Sequence, residues 1–438
     1  MKRIFKIVPV VLLIATGAFI TVHFLAGPDG NGPWKRTRTE MYRFSIYHKR
    51  GTIYDCHGTV LAYSGYVYEI GIDCTRLDEK DWEEGSRDLA PCLAGLFPEH
   101  DATGWLQELQ KGRAEGSTYL PIAWRASEET AEQVRTFPIF ESPRSGGILA
   151  RRIDRLYPYG ILARATVGFA HADSVRIGLE RRFDRILSET HGLQVVKSGM
   201  RRGEIVSKTV EMDPGRDGMD LHTTLSVPLQ AKADSVLRDV FRKNRHVASG
   251  VLVLMESGGA VRAVVNLTRT DDGHVFEIID EDIQRTACLP FDPPVSSVSE
   301  EDSCEPPVSP LKVLAWWNAM AFRGRMVDPY LVEEISDQGG SSVRHDPVRT
   351  QMIPEDVADS LAHRFIQGAG NGSGETAANR SQRIAGASGV RRSTVTYCGF
   401  SSAGGQGWSV VCALRFSRMD SRSAVLPESA ARAILCTP

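Results

Sequence analysis

The stretch "GVLVLMESGGAVRAVVNL", residues 250–267, decides the fold class. Two apolar runs meet at Gly258-Gly259, a pattern that predicts a β-hairpin with the paired glycines in its turn. Just upstream, "LHTTLSVPLQAKADSVLRDVFRKNR" predicts a short strand and then a helix, with Leu229, Ala233, Val236, Leu237, Val240 and Phe241 along one side. A helix followed by a hairpin at the heart of a sheet starts an α+β domain.

Gly, Pro and Asp cluster in "MDPGRDGMD", residues 212–220, and mark a boundary on the N-terminal side of that domain. Before it, "YVYEIGID" (66–73) reads as a strand. From Asp81 the pattern turns helical, with Leu89, Leu93 and Leu96 on one face and Trp105, Leu106 and Leu109 on another. Ser127 is placed to cap a short helix whose first turn carries Glu128 and Glu129, where the helix dipole favours acids, and Pro138 is expected to end it. After the hairpin, residues 268–308 are rich in acids and prolines and read as mostly exposed loop. Order then resumes with a helix from Ser309, a strand near "PYLVEEI", a helix in "PEDVADSLAHRFIQGA", a hairpin "STVTYCGF…WSVVCALRF" and a last helix from Pro427. "GAGNGSGETAANRSQ" has the composition of a flexible link.

The N-terminus carries Lys2, Arg3 and Lys6 and then no charged residue from Val8 to Gly27. About 20 apolar residues suffice to span a bilayer, so an uncleaved anchor is expected with its basic end inside. A cleaved signal peptide is the alternative, although its apolar core is usually shorter. The bulk of the chain would then lie in the periplasm. Its formal net charge of -2 argues against nucleic acid as the main partner. None of the eight cysteines has CxxC or metal-ligand spacing, so neither a metal nor a cofactor is expected. A hairpin centred on "AGGQG" would bring Cys398 and Cys412 nearly opposite each other; they form either a disulfide, permitted in that compartment, or two buried thiols.

Several segments, in order, resemble the class B penicillin-binding proteins, the membrane-anchored D,D-transpeptidases that cross-link peptidoglycan in division or elongation. "RGTIYDCHGTVLA" (50–62) is similar to the family's Arg-Gly-x-Ile-x-Asp-Arg-x-Gly-x-x-Leu-Ala, with Cys56 in place of the second Arg. "RLYPYGILARATVGF" (155–169) resembles its Arg-x-Tyr-Pro segment, and "GLERRFDRIL" (178–187) its Gly-Leu/Ile-Glu segment. "DLHTTLSVPLQ" and the 250–267 hairpin resemble the start of its transpeptidase domain, while "SPLKVLAWWNAMAFRGRMVDPYLV" resembles a late segment of it. The resemblance implies a cytoplasmic tail (1–7), a transmembrane anchor (8–27), a linker (28–44), a mixed pedestal or dimerisation-type domain (45–212) and a transpeptidase-like domain with an antiparallel sheet (213–438). The acidic loop (268–308) would stand where the usual catalytic serine and its helical subdomain are missing, leaving the domain truncated. It makes Arg50, Gly51, Asp55 and Gly58 the pedestal motif. Implied partners are the inner membrane, cell-wall synthesis or division proteins, and peptidoglycan or a β-lactam.

Transpeptidation needs Ser-x-x-Lys, Ser-x-Asn and a Lys-Thr/Ser-Gly strand to converge on one substrate. In "RIAGASGV" Ser388 and Gly389 remain, but Ala387 takes the lysine's place, and a methyl group supplies no charge. No Ser-x-Asn occurs in the chain, and "KSG" at Lys197 comes before the transpeptidase-like part. Ser309 and Lys312 have Ser-x-x-Lys spacing, which puts both on one helical face. Yet Ser309-Pro310 is also what a helix start requires, with the serine hydroxyl accepting a backbone N–H and proline in the first turn. The expectation is therefore a degenerate, non-acylating homologue that acts by binding or scaffolding. A D,D-transpeptidase or carboxypeptidase with Ser309 as nucleophile and Lys312 as base is the alternative. His274 and the pair Cys56-His57 are weaker candidates, and Trp316-Trp317 would serve a partner surface only if one ring is exposed.

Overall fold

The computed structural model describes residues 39–142, 144–170, 177–201, 204–277, 309–369, 384–401 and 407–436. The expected anchor, the 28–38 part of the linker, most of the acidic loop and most of the Gly/Asn/Ser stretch lie outside these residues. Among the described residues no helix is long and apolar enough to cross a membrane.

In chain order the first half comprises β1 (Thr39–Ile46), β2 (Ile53–Tyr54), β3 (Val60–Ile72), α1 (Glu79–Leu96), α2 (Ala102–Ala114), β4 (Leu120–Ala126) and α3 (Glu128–Val134). There follow β5 (Gly147–Leu156), the short helices α4 (Arg164–Val167), α5 (Gly178–Arg182) and α6 (Asp184–Leu187), and the hairpin β6 (Gly192–Arg201) and β7 (Glu204–Asp213). The second half opens with β8 (Asp220–Thr223), α7 (Val227–Lys243), β9 (Val247–Glu256), β10 (Val261–Arg269) and β11 (Val275–Glu277). It continues with α8 (Pro310–Ala321), β12 (Arg325–Val327), β13 (Val332–Ser336), β14 (Ser342–Arg344), β15 (Arg349–Gln351) and α9 (Glu355–Ala369). Last come β16 (Ala385–Arg391), β17 (Thr394–Ser401), β18 (Trp408–Phe416) and α10 (Leu426–Leu435).

Two compact units result. In the first, formed by residues 39–48 and 189–217, β6 pairs with β1 on one side and β7 on the other. Its side chains are largely open to solvent, with Met41, Tyr42, Phe44 and Met212 exposed. The "KSG" triplet lies here, in β6.

The second unit holds Lys49–Ser188 together with everything from Gly218 onward. One of its sheets is a six-stranded antiparallel array in the order β11-β10-β9-β18-β17-β16. The 250–267 stretch forms β9 and β10 as expected, and the reason it reads as an almost unbroken apolar run is burial on both faces. Leu252 and Leu254 enter the core under α7 and α10, whereas Val251, Val253 and Met255 enter the core under α8 and α9. Helix α7 presents Ala233, Leu237, Val240 and Phe241 to that first core, as its periodicity predicts. A second sheet, with β2, β3 and β8 at its centre, shares a core with α1 and α2 through Leu89, Leu93, Trp105 and Leu109, and with α3 through Ala131 and Val134.

The register of β17 and β18 corrects the expectation for the cysteines. Cys412 lies opposite Tyr397, and Cys398 opposite Val411. An offset of one residue sends the two thiols to opposite faces of the sheet, because side chains alternate with period two. Cys412 is in the α7/α10 core and Cys398 in the α8/α9 core, and neither sulfur is in a disulfide. The buried-thiol alternative holds: burial pushes the Cys412 thiol up to about 12.

Candidate functional site

Two of the pedestal motif residues, Arg50 and Gly51, take part in a buried ionic cluster. Arg50, in the extended segment before β2, reaches Glu180 Oε2 through Nε at 2.8 Å and Asp184 Oδ1 through Nη1 at 2.9 Å. Its Nη2 donates to the Glu180 carbonyl at 3.0 Å, and Nη1 donates also to the Ser188 hydroxyl at 2.9 Å. From the end of β5, Arg155 Nε approaches the other carboxylate oxygen, Oε1, at 2.7 Å, and its Nη1 donates to the Gly51 carbonyl at 2.7 Å. The Tyr157 hydroxyl donates weakly to the same Oε1 at 3.5 Å and accepts from the Ala170 amide at 2.7 Å. Glu180 is fully buried, and both arginines nearly so. A carboxylate so far from water persists only when its lone pairs are all engaged by cations or donors.

Gly51 lies where only a glycine fits, since a Cβ there would meet the Met219 carbonyl oxygen at 1.8 Å. Close approach lets the segment lie beside β8, which pairs with β2 in parallel at Ile53↔Leu221 and Tyr54↔His222.

Asp55 organises the next turn. Its Oδ1 accepts from the amides of His57 (2.8 Å) and Thr59 (2.7 Å), an Asx-type turn that places Gly58 at φ +80°. The other oxygen, Oδ2, accepts from the Val227 amide at 3.2 Å, at the start of α7. Ser226, the residue at the cap position of α7, makes no side-chain capping bond. Asp55 therefore caps this helix from a distant part of the chain, and its negative charge suits the helix's positive end. Cys56 and His57 belong to the same turn. Burial pushes the Cys56 thiol up, which opposes a reactive thiolate, and His57 is exposed. His274 is likewise exposed, in a turn closed by the Thr270 amide and hydroxyl.

Ser309 stands at the N-cap of α8, but only in part as expected. Its carbonyl accepts from Val313 N at 3.0 Å, while its hydroxyl makes no capping bond. The hydroxyl-capping expectation is thus corrected: Pro310 at the first position and the buried apolar side of α8 start this helix without it. Lys312 is exposed, with Nζ 5.2 Å from the ring centre of Trp316 one turn further on. That cation–π stack accounts for the lysine, and among the described residues no hydrogen bond joins it to Ser309. Trp316 is half-buried beneath it, whereas Trp317 packs between Phe365 (4.9 Å) and Phe400 (6.0 Å) in the core.

Ala387, Ser388 and Gly389 lie on β16, the edge of the six-stranded sheet. Ala387 pairs with Cys398 and packs beside the α8/α9 core; Ser388, opposite Tyr397, is exposed. Among the described strands β16 is thus the outermost, and it carries a methyl group at the position of interest.

With this geometry in hand, comparison with known proteins is informative. Residues 45–223 match the penicillin-binding protein dimerisation domain. A peptidoglycan synthetase from Bifidobacterium adolescentis superposes with a TM-score of 0.59 at 15% identity, over 90% of this chain and 96% of that one. Penicillin Binding Protein 2X from Streptococcus thermophilus superposes with a TM-score of 0.61 at 12% identity, over 90% of this chain and 80% of that one. The segment 45–223 is thus similar to a penicillin-binding protein dimerisation domain, and the chain shares the fold of these two proteins. No curated protein sequence matches it. Within this fold, the Arg50, Gly51, Asp55 and Gly58 motif contributes to the ion cluster and to the turn that caps α7. Arg155 and Glu180 complete that cluster, although periodicity and local propensity did not single them out. Their one sequence signal was the charge inside two otherwise structural motifs, "RLYP" and "GLE".

Proposed function

We propose that this chain is a membrane-anchored homologue of the penicillin-binding proteins that serves peptidoglycan synthesis or cell division by binding or scaffolding, without acyl transfer. It would be a single-pass inner-membrane protein with its bulk in the periplasm. The observation that carries this reading is the edge strand β16, where Ala387 replaces the family's strand lysine. Without that cation the strand has no charge to hold a substrate carboxylate or to polarise the reacting centre. The stacking of Lys312 on Trp316 supports the same reading, since a base for Ser309 would have to aim its amine at the hydroxyl. The two charged residues of the pedestal motif, Arg50 and Asp55, hold the fold, so partner binding would fall to other pedestal residues.

The purified chain should form no covalent adduct with a fluorescent penicillin. Labelling that disappears in Ser309→Ala would overturn this reading and establish the D,D-transpeptidase or carboxypeptidase alternative. Co-purification from membranes examines the scaffold role separately: division or elongation proteins should be recovered, and their absence would count against it.

A further inference from the structure

An arginine-lined pocket of about 480 Å³ opens beside the C-terminal end of α8. Arg323, Arg325 and Arg349 line it with, among the described residues, the single acid Asp359, and Phe322 and Val327 supply apolar wall. Its size falls within the range of small-molecule sites.

Strand register explains how the charges come together. β12 and β15 form a two-stranded ribbon with Arg325 opposite Gln351 and Val327 opposite Arg349. Cross-strand and alternate residues share a face, so Arg325 and Arg349 are diagonal neighbours on the side that carries Val327. Like charges in that relation repel. Both are exposed, and neither has an ion-pair partner among the described residues. Arg323 has a different account available: it faces Glu355 at 3.4 Å and sits just past a helix C-terminus, where a cation is favoured. Even so, its backbone is held in the left-handed region at φ +57°, unusual for arginine, by Gln351 Nε2 donating to its carbonyl at 2.9 Å.

The opposite rim is also pre-set. Fully buried Asn318 donates through Nδ2 to the Ser257 carbonyl (3.0 Å) and accepts from the Ser409 hydroxyl (2.9 Å), which fixes the β9–β10 turn against α8. Gly258, in that turn, has open space where a Cβ would stand.

The geometry points to a binding site for an oxyanion, a phosphate or carboxylate group held by the forks of Arg325 and Arg349 with Arg323 at the rim. Guanidinium forks match such groups in a bidentate manner, and an anion between the two diagonal arginines relieves their repulsion. Neither Ser309 nor Ala387 is among the described residues that line the site, and the proposal does not depend on whether the chain is acylated.

Titration calorimetry on the full chain in detergent, with pyrophosphate as the phosphate probe and citrate as the carboxylate probe, tests this. At least one probe should bind saturably, and Arg325→Gln/Arg349→Gln should weaken it by about tenfold or more, from the loss of charge-assisted bonds. Arg325→Lys/Arg349→Lys should lose less. Arg242→Gln, exposed on α7 and away from the pocket, should change nothing. Preference for pyrophosphate assigns the group to a phosphate source, and preference for citrate to a carboxylate one. No saturable binding of either probe, or binding that the double glutamine variant leaves unchanged while its thermal unfolding matches the parent, overturns the proposal.

Discussion

Replacing Glu180 by glutamine keeps the shape of the side chain and removes only its charge. Arg50 would keep Asp184 Oδ1, the Ser188 hydroxyl and the Glu180 carbonyl. Arg155 would keep the Gly51 carbonyl but lose its ion-pair partner, while its guanidinium stays almost wholly buried. Removing one partner of such a buried pair costs about 3–5 kcal/mol, mainly because the remaining charge is left uncompensated. A domain stability of about 5–15 kcal/mol makes that a large fraction of the total. Urea unfolding followed by far-UV circular dichroism reads it as a fall in midpoint with the slope unchanged. Arg155→Met combined with Glu180→Gln should cost less than the two single changes added together, because the stranded charge is then gone. A loss below about 1 kcal/mol in Glu180→Gln, or full additivity in the double variant, would refute the claim that charge compensation holds this cluster.

Three further outcomes follow from single residues. Burial raises Glu277 to about 7 in the folded chain from an ordinary 4.5, so folding favours its protonated form. Stability from that source is present below the ordinary value and is lost as pH rises through about 7. Glu277→Gln should therefore gain up to about 3 kcal/mol on the parent near pH 8 and nothing near pH 4, read by denaturant titration at both. Ser127 accepts from Thr130 N at 3.1 Å whereas the Ser309 hydroxyl caps nothing; Ser127→Ala should cost about 1 kcal/mol and Ser309→Ala a few tenths, and equal losses would contradict the difference. In iodoacetamide labelling with peptide mapping, exposed Cys436 should be modified in the native chain, while buried Cys398 and Cys412 stay unmodified until denaturant is added.

Elements whose signal is local were legible before any coordinates. The period of α7, the Gly258-Gly259 turn and the Ser127 cap each depend on neighbours within a few residues, and each formed as read. The relation of Cys398 to Cys412 was not legible, because facing depends on register, and a shift of one residue reverses every side chain. Ser309 shows another limit. Its position at the helix start was readable from Ser-Pro, yet whether the hydroxyl bonds depends on a rotamer that sequence does not specify. The Arg50–Glu180–Arg155 cluster joins residues 130 and 25 positions apart, beyond any window of periodicity. Similarly, the capping of α7 by Asp55 joins residues 172 positions apart and leaves no local signal.

That distant cap bears on how the chain folds as it emerges. Asp55 and Val227 are 172 residues apart, and β2 finds its parallel neighbour β8 across nearly the same interval. Contacts of such long range close late and slow folding, because the loop entropy must be overcome before they form. Until Gly218 and the residues after it are available, one edge of β2 lacks its partner and the Asp55 carboxylate has no helix to cap. The N-terminal half is thus held open by topology until the second half arrives. A product truncated before β8 would carry an unpaired strand edge, a template for association with other chains.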